Sequence, residues 1–79
     1  MSQSIFHELK QRRDQVVTLH CTDGEVILAR IEFISDEEED CIFQMLATNR
    51  LEKPAYAKAG IGGNYLIRLE DIKSLETDH

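Results

Sequence analysis

The stretch that decides the architecture is Val16–Ser35, VVTLHCTDGEVILARIEFIS. From Gln15 to Thr22 the pattern has a period of two. Val17, Leu19 and Cys21 fall on one side of an extended chain, and Val16, Thr18, His20 and Thr22 on the other. Asp23-Gly24 then breaks the run. Asp-Gly between two β-rich segments supplies the backbone freedom of a tight turn, so the pair predicts a hairpin. The second arm, residues 25–35, puts Ile27, Ala29, Ile31 and Phe33 on one face. Its other face begins with Val26 and Leu28, passes through Arg30 and Glu32, and ends at Ile34. One apolar side and one mixed side predict a long, bent strand serving two parts of a curled sheet.

Working outward, residues 4–13 place Ile5, Phe6 and Leu9 at helical spacing, with Ser4 as N-cap. Lys10, Arg12 and Arg13 fall in the last turn, where cations complement the helix dipole. A helix this short must lie on an apolar surface. On the other side of the hairpin, Asp36–Asp40 reads as a solvated turn. Residues 41–48 return to strand, with Cys41, Phe43, Met45 and Ala47 opposite Ile42, Gln44 and Leu46. Residues 49–64, with Pro54, Gly60, Gly62 and Gly63, form a loop longer than compact domains usually carry, the length of a functional or mobile segment. YLIRL (65–69), a corner at Glu70-Asp71 and IKSLE (72–76) close the chain.

The expectation is a mainly β protein, one domain over residues 1–79. It comprises a helix over 4–13 and strands over 15–22, 25–35, 41–48, 65–69 and 72–76. Five short strands bury their inward faces by stacking or by curling, and 79 residues favour an antiparallel sheet closed as a barrel.

In this order the pattern resembles the Sm-like family of small SH3-like barrels, above all its bacterial Hfq branch. Asp23-Gly24 stands at that family's hairpin, Ile31 at its mid-strand core position, and Ile67 and Ile72 at its closing positions. The resemblance implies edge-to-edge pairing of subunits into a ring, and RNA as a ligand. Three departures bear on the second implication. Ala29 replaces the usual glycine at the bend, and the turn Ser35–Asp40 lacks the family's Asn. Ile67-Arg68-Leu69-Glu70-Asp71 stands where an Arg-Gly pair or a Tyr-Lys-His triplet would contact RNA. Carboxylates therefore dominate both turns that would line a pore, and like charge repels phosphate.

Composition narrows the function classes. Acids outnumber bases 15 to 9, giving a net charge of −6 and a pI near 4.9, which disfavours a generic nucleic-acid coat. No apolar run has membrane-span length and the N-terminus has no secretory pattern, so a cytoplasmic protein without a membrane partner is expected. Two cysteines in such a setting read as small core hydrophobes rather than a disulfide framework.

Enzyme and cofactor readings fare poorly. The acidic run 36–40 lacks the Gly and the bidentate Glu of a calcium loop, since Cys41 and Ala47 occupy those positions. For zinc, His20 and Cys21 are neighbours on a strand and point to opposite faces, and the remaining histidines are His7 and His79. Cys21, His20, Ser35 and Ser74 sit in no nucleophile motif. Gly60-Ile61-Gly62-Gly63 leads into a strand and lacks the Lys-Ser/Thr of a phosphate loop. No catalysis, metal, cofactor or small-molecule substrate is expected.

Two sets of residues point to binding. Lys10, Arg12 and Arg13, with Arg50, Lys53, Tyr56 and Lys58 of the long loop, form the candidate single-stranded RNA surface, Tyr56 supplying a ring for base stacking. Val26, Leu28, Ile34, Ile42, Leu46 and Leu66 lie opposite the expected core and form the candidate self-association surface. The expected role is that of a non-catalytic interaction module assembling as a homo-oligomer, with an RNA or protein partner.

Overall fold

The computed structural model describes residues 3–77, with side chains from Ile5 onward. Helix α1 spans Gln3–Gln11 and is followed by strands β1 (Val16–Cys21), β2 (Val26–Ser35), β3 (Asp40–Thr48), β4 (Asn64–Arg68) and β5 (Ile72–Thr77). Single 3-10 turns at Pro54–Tyr56 and Leu69–Asp71 interrupt the connections on either side of β4. Ser4 lies within α1 rather than ahead of it, and its capping side chain, like His79, lies outside the described residues.

The helix is shorter at its C-terminal end than its sequence pattern predicts. Asp14 adopts a positive φ of 68°, which no helix continues through, so Arg12 and Arg13 belong to the turn that follows. That turn stitches the chain onto the sheet: the Asp14 N–H donates to the Ile31 carbonyl and the Ile31 N–H to that of Gln15. Leu9 is completely buried, with Ile5 and Phe6 packed beside it, so α1 rests on the core as its amphipathic spacing requires. Burying the Leu9 side chain contributes roughly 2 kcal/mol.

All five strands join one antiparallel sheet in the order β4-β3-β2-β1-β5. This corrects the expected closure. The sheet curls but does not close, because β4 and β5 pair with opposite ends of the β1–β3 meander and follow one another in the chain through the Leu69–Asp71 corner. Among the described residues, each of these two strands has a neighbour on one side alone.

Two bulges decide which residues face inward. In β2, Ile31 pairs with Phe43 and Phe33 with Ile42, so Glu32 is the extra residue and the parity of the strand reverses. Phe33 therefore turns outward and is 50% exposed, while Ile34, opposite buried Cys41, packs against the core. The simple alternation placed these two the other way round. In β3 the extra residue is Leu46, between Met45 (opposite Ala29) and Ala47 (opposite Leu28), which carries Ala47 to the outer surface. The core that remains is centred on Val17, Leu19, Ile27, Ile31, Phe43 and Met45.

Candidate functional site

The β1–β2 hairpin ends in a three-residue turn, Thr22-Asp23-Gly24, with Gly24 at φ 93° and Cys21 donating its N–H to the Glu25 carbonyl at 2.9 Å. A carboxylate oxygen of Asp23 accepts the Glu25 N–H at 3.0 Å, which fixes the first residue beyond the turn. Glu25 then points inward with Ile27, Ala29 and Ile31, and at 3% exposure it is the buried charged residue of the described chain.

The loop between β3 and β4 folds back over this carboxylate as a strap. Glu25 Oε2 accepts hydrogen bonds from Thr48 Oγ1 at 2.6 Å and the Tyr56 hydroxyl at 2.7 Å, and Oε1 receives the Lys53 ammonium at 2.6 Å. Lys53 also reaches Asp23 Oδ2 at 2.8 Å. Burial alone would raise the Glu25 carboxyl, but the bonds from Lys53, Thr48 and Tyr56 outweigh it and hold the group below the usual range. Asp23 is lowered as well, by Lys53 and by the Glu25 N–H. Burial and the adjacent Glu25 charge raise the Tyr56 phenol.

The strap ends on β4. The Tyr56 and Tyr65 rings meet edge to face at 4.9 Å, and the Tyr65 hydroxyl donates to the Gly60 carbonyl at 3.0 Å. The loop's exit is pinned to β3, where Gly62 donates to the Met45 carbonyl and Met45 to that of Gly63. A cavity of about 360 Å³ lies between hairpin, strap and β4; Cys21, Ile27, Lys53, Tyr56, Tyr65 and Ile67 contribute to its wall.

Cys21, Asp23 and Glu25 bring three ligand-type atoms within 4.8 Å of one another. The site is already supplied with a cation, because the Lys53 ammonium bonds both carboxylates. Burial, then the Glu25 charge, pushes the Cys21 thiol up to about 11, which favours its protonated form. The chemistry of this donor set is that of an internal ion pair. His20 faces the other way and bonds Glu76 on the outer surface at 2.7 Å.

The seven residues of the expected RNA surface do not form one stripe. Lys10, Arg12 and Arg13 sit where α1 meets β2, with Lys10 over the Phe6 ring and Arg13 Nε donating to the Glu32 carbonyl. Arg50, Lys53 and Tyr56 contact the hairpin at the far end of β1, a strand of roughly 20 Å at 3.3 Å per residue, and Lys58 follows them along the strap. Tyr56 is 8% exposed and hydrogen-bonded, so it offers no face for a base, and Lys53 is committed to two acids. Arg50 Nη2 lies 3.5 Å from the Asp23 carbonyl, and Lys58 is exposed. Arg12 Nε is buried without a hydrogen-bond partner among the described residues.

Of the expected self-association residues, Leu66 is 58% exposed on β4, and Val26, Leu28, Ile42 and Leu46 are half-buried. Ile34 belongs to the inner face for the bulge reason above, and Phe33 takes its place outside. Sequence reasoning missed Glu25. Its odd-numbered parity with Ile27 and Ile31 was the available signal, whereas Thr48 and Tyr56 carried none as its partners.

The fold is that of the Sm-like proteins. The crystal structure of the SmAP (LSm) protein from Methanococcus vannielii superposes with a TM-score of 0.66 over 94% of this chain and 94% of that one, at 12% sequence identity. No protein-family model matches the chain, and no curated protein matches it by sequence.

Proposed function

We propose that the protein is a non-catalytic Sm-like interaction module that assembles with copies of itself by pairing β4 of one copy with β5 of the next. The observation that carries this reading is the open sheet, whose two end strands each have one neighbour. Unpaired strand edges present backbone donors and acceptors that another strand satisfies, and head-to-tail repetition of one such contact gives a ring when the rotation closes. Exposed Leu66 at the centre of β4 supplies apolar surface beside that edge. Cys21 and Cys41 are free thiols, which accords with work in a reducing cytoplasm, and no helix among the described residues is long and apolar enough to cross a membrane. Light scattering at high micromolar concentration tests the proposal. An assembly that Leu66→Lys weakens supports it, and a monomer at that concentration refutes it.

A second reading rests on Arg12. Its buried, unpartnered Nε beside exposed Lys10 and Arg13 supports an anion such as an RNA phosphate at the end of α1. Arg50 and Lys58 would contribute from the strap. Single-stranded RNA should bind at about 50 mM salt and dissociate steeply as salt rises. Absence of a shift under those conditions removes this reading.

A further inference from the structure

The two end strands are linked by more than the short corner between them. The hairpin is bound to the start of β5, where Cys21 pairs with Ile72 and the Thr22 N–H donates to the Asp71 carbonyl at 2.9 Å. The same hairpin reaches β4 through side chains: Glu25 accepts from Tyr56, Tyr56 packs edge to face on Tyr65, and Tyr65 is, with Ile67, an inward residue of β4. A chain of contacts therefore runs from one edge of the open sheet to the other across the cavity mouth.

We propose that the Glu25–Tyr56–Tyr65 chain is a positioning device that fixes the angle between the β4 and β5 edges, and thereby the number of copies that close a ring. This rests on the self-association reading given above. In a cyclic assembly built from one repeated edge contact, the rotation from copy to copy equals the angle between a subunit's two edges, and that rotation sets the copy number. Without the side-chain link, the Leu69–Asp71 corner is the direct covalent connection between the strands, and a single turn of 3-10 helix tolerates flexing. The link is built for stiffness. Glu25 is buried and has three donors from the strap side, two rings are locked edge to face, and Tyr65 is tied again at the Gly60 carbonyl. Neither Glu25 nor Tyr56 needs to touch a neighbouring copy to act in this way.

The test compares the full chain with Tyr56→Phe, Glu25→Gln and, as a surface control on the strap, exposed Glu52→Ala. Native mass spectrometry reads copy number, and hydrogen exchange reads the β4 amides. The wild type and Glu52→Ala should show one copy number, while Tyr56→Phe and Glu25→Gln spread over several. Exchange across residues 64–68 should rise about tenfold with β1 and β2 unchanged, as expected for losing one hydrogen bond to a charged acceptor. Tyr56→Phe keeps the ring and serves where Glu25→Gln folds poorly. An unchanged copy number with unchanged β4 exchange overturns the proposal, and so does a rise in exchange spread evenly over the sheet, which marks plain destabilisation. A monomeric wild type refutes the assembly reading; the positioning of β4 is then decided by the exchange pattern alone.

Discussion

The Tyr56 hydroxyl donates to Glu25 Oε2 at 2.7 Å, joining the middle of the β3–β4 strap to the first residue beyond the β1–β2 turn. Thirty-one positions separate the partners, and the acceptor is 3% exposed. A long loop is thereby held by a charge-assisted bond in a site that water scarcely reaches.

Truncating the carboxylate should be costly. Glu25→Ala removes the common acceptor of Thr48, Lys53 and Tyr56 and leaves those donors facing a void. The expected loss is about 2–4 kcal/mol in urea unfolding, because breaking a buried pair strands its partner. A loss below about 0.5 kcal/mol would show that water replaces the carboxylate freely.

Stability should form a plateau bounded by acid and alkali. The Glu25 and Asp23 carboxyls sit below their ordinary 4.5 and 3.8 in the folded chain, so their contribution is present above those values and is lost as pH falls through the lowered ones. Cys21, Cys41, Tyr56 and Lys53 are all raised. Their contribution is complete below the ordinary values, which begin at 9.0 for the thiols, and declines as pH rises toward the folded ones. Thermal melts from acid to alkaline pH should be flat between about pH 5 and pH 9 and fall on both sides.

The reversed parity at the end of β2 predicts unequal neighbours. Ile34→Ala removes methyl groups from the inner face and should cost about 1–3 kcal/mol, whereas Phe33→Ala trims a half-exposed ring and should cost under about 1 kcal/mol. Equal losses in paired denaturation curves would argue that the strand keeps simple alternation.

Gly63 and Gly62 should also separate. A Cβ on Gly63 would lie 2.5 Å from that of Ala59, so Gly63→Ala forces the strap exit apart, at roughly 1–3 kcal/mol. Gly62→Ala meets open space but is strained by its φ of 90°, a cost of about 1 kcal/mol. Both are read from unfolding midpoints.

The two arms of the hairpin were legible because Val17, Leu19, Ile27 and Ile31 alternate cleanly and Asp23-Gly24 marks the turn. What alternation cannot reveal is a residue that drops out of register. Glu32 and Leu46 look like ordinary strand positions, yet each is the extra residue of a bulge, and every face assignment beyond them reverses. The open sheet was illegible for a different reason. Closure depends on where β4 and β5 find partners, a long-range matter that YLIRL and IKSLE do not encode locally. Tyr56 was read as a base-stacking ring because an aromatic among lysines looks exposed in sequence; only the folded strap shows that its hydroxyl has a buried acceptor.

The two sulfurs give the protein an internal clock. Cys41 is completely buried beside Asp40, and burial followed by that charge pushes its thiol up to about 12. At pH 8 the buried thiol is held in its protonated form, so an alkylating reagent finds almost no nucleophile until the chain opens. The rate at which iodoacetamide consumes Cys41 therefore counts excursions of the β2–β3 pair, and the slower consumption expected at Cys41 than at rim-placed Cys21 would rank the two regions by how often each breathes.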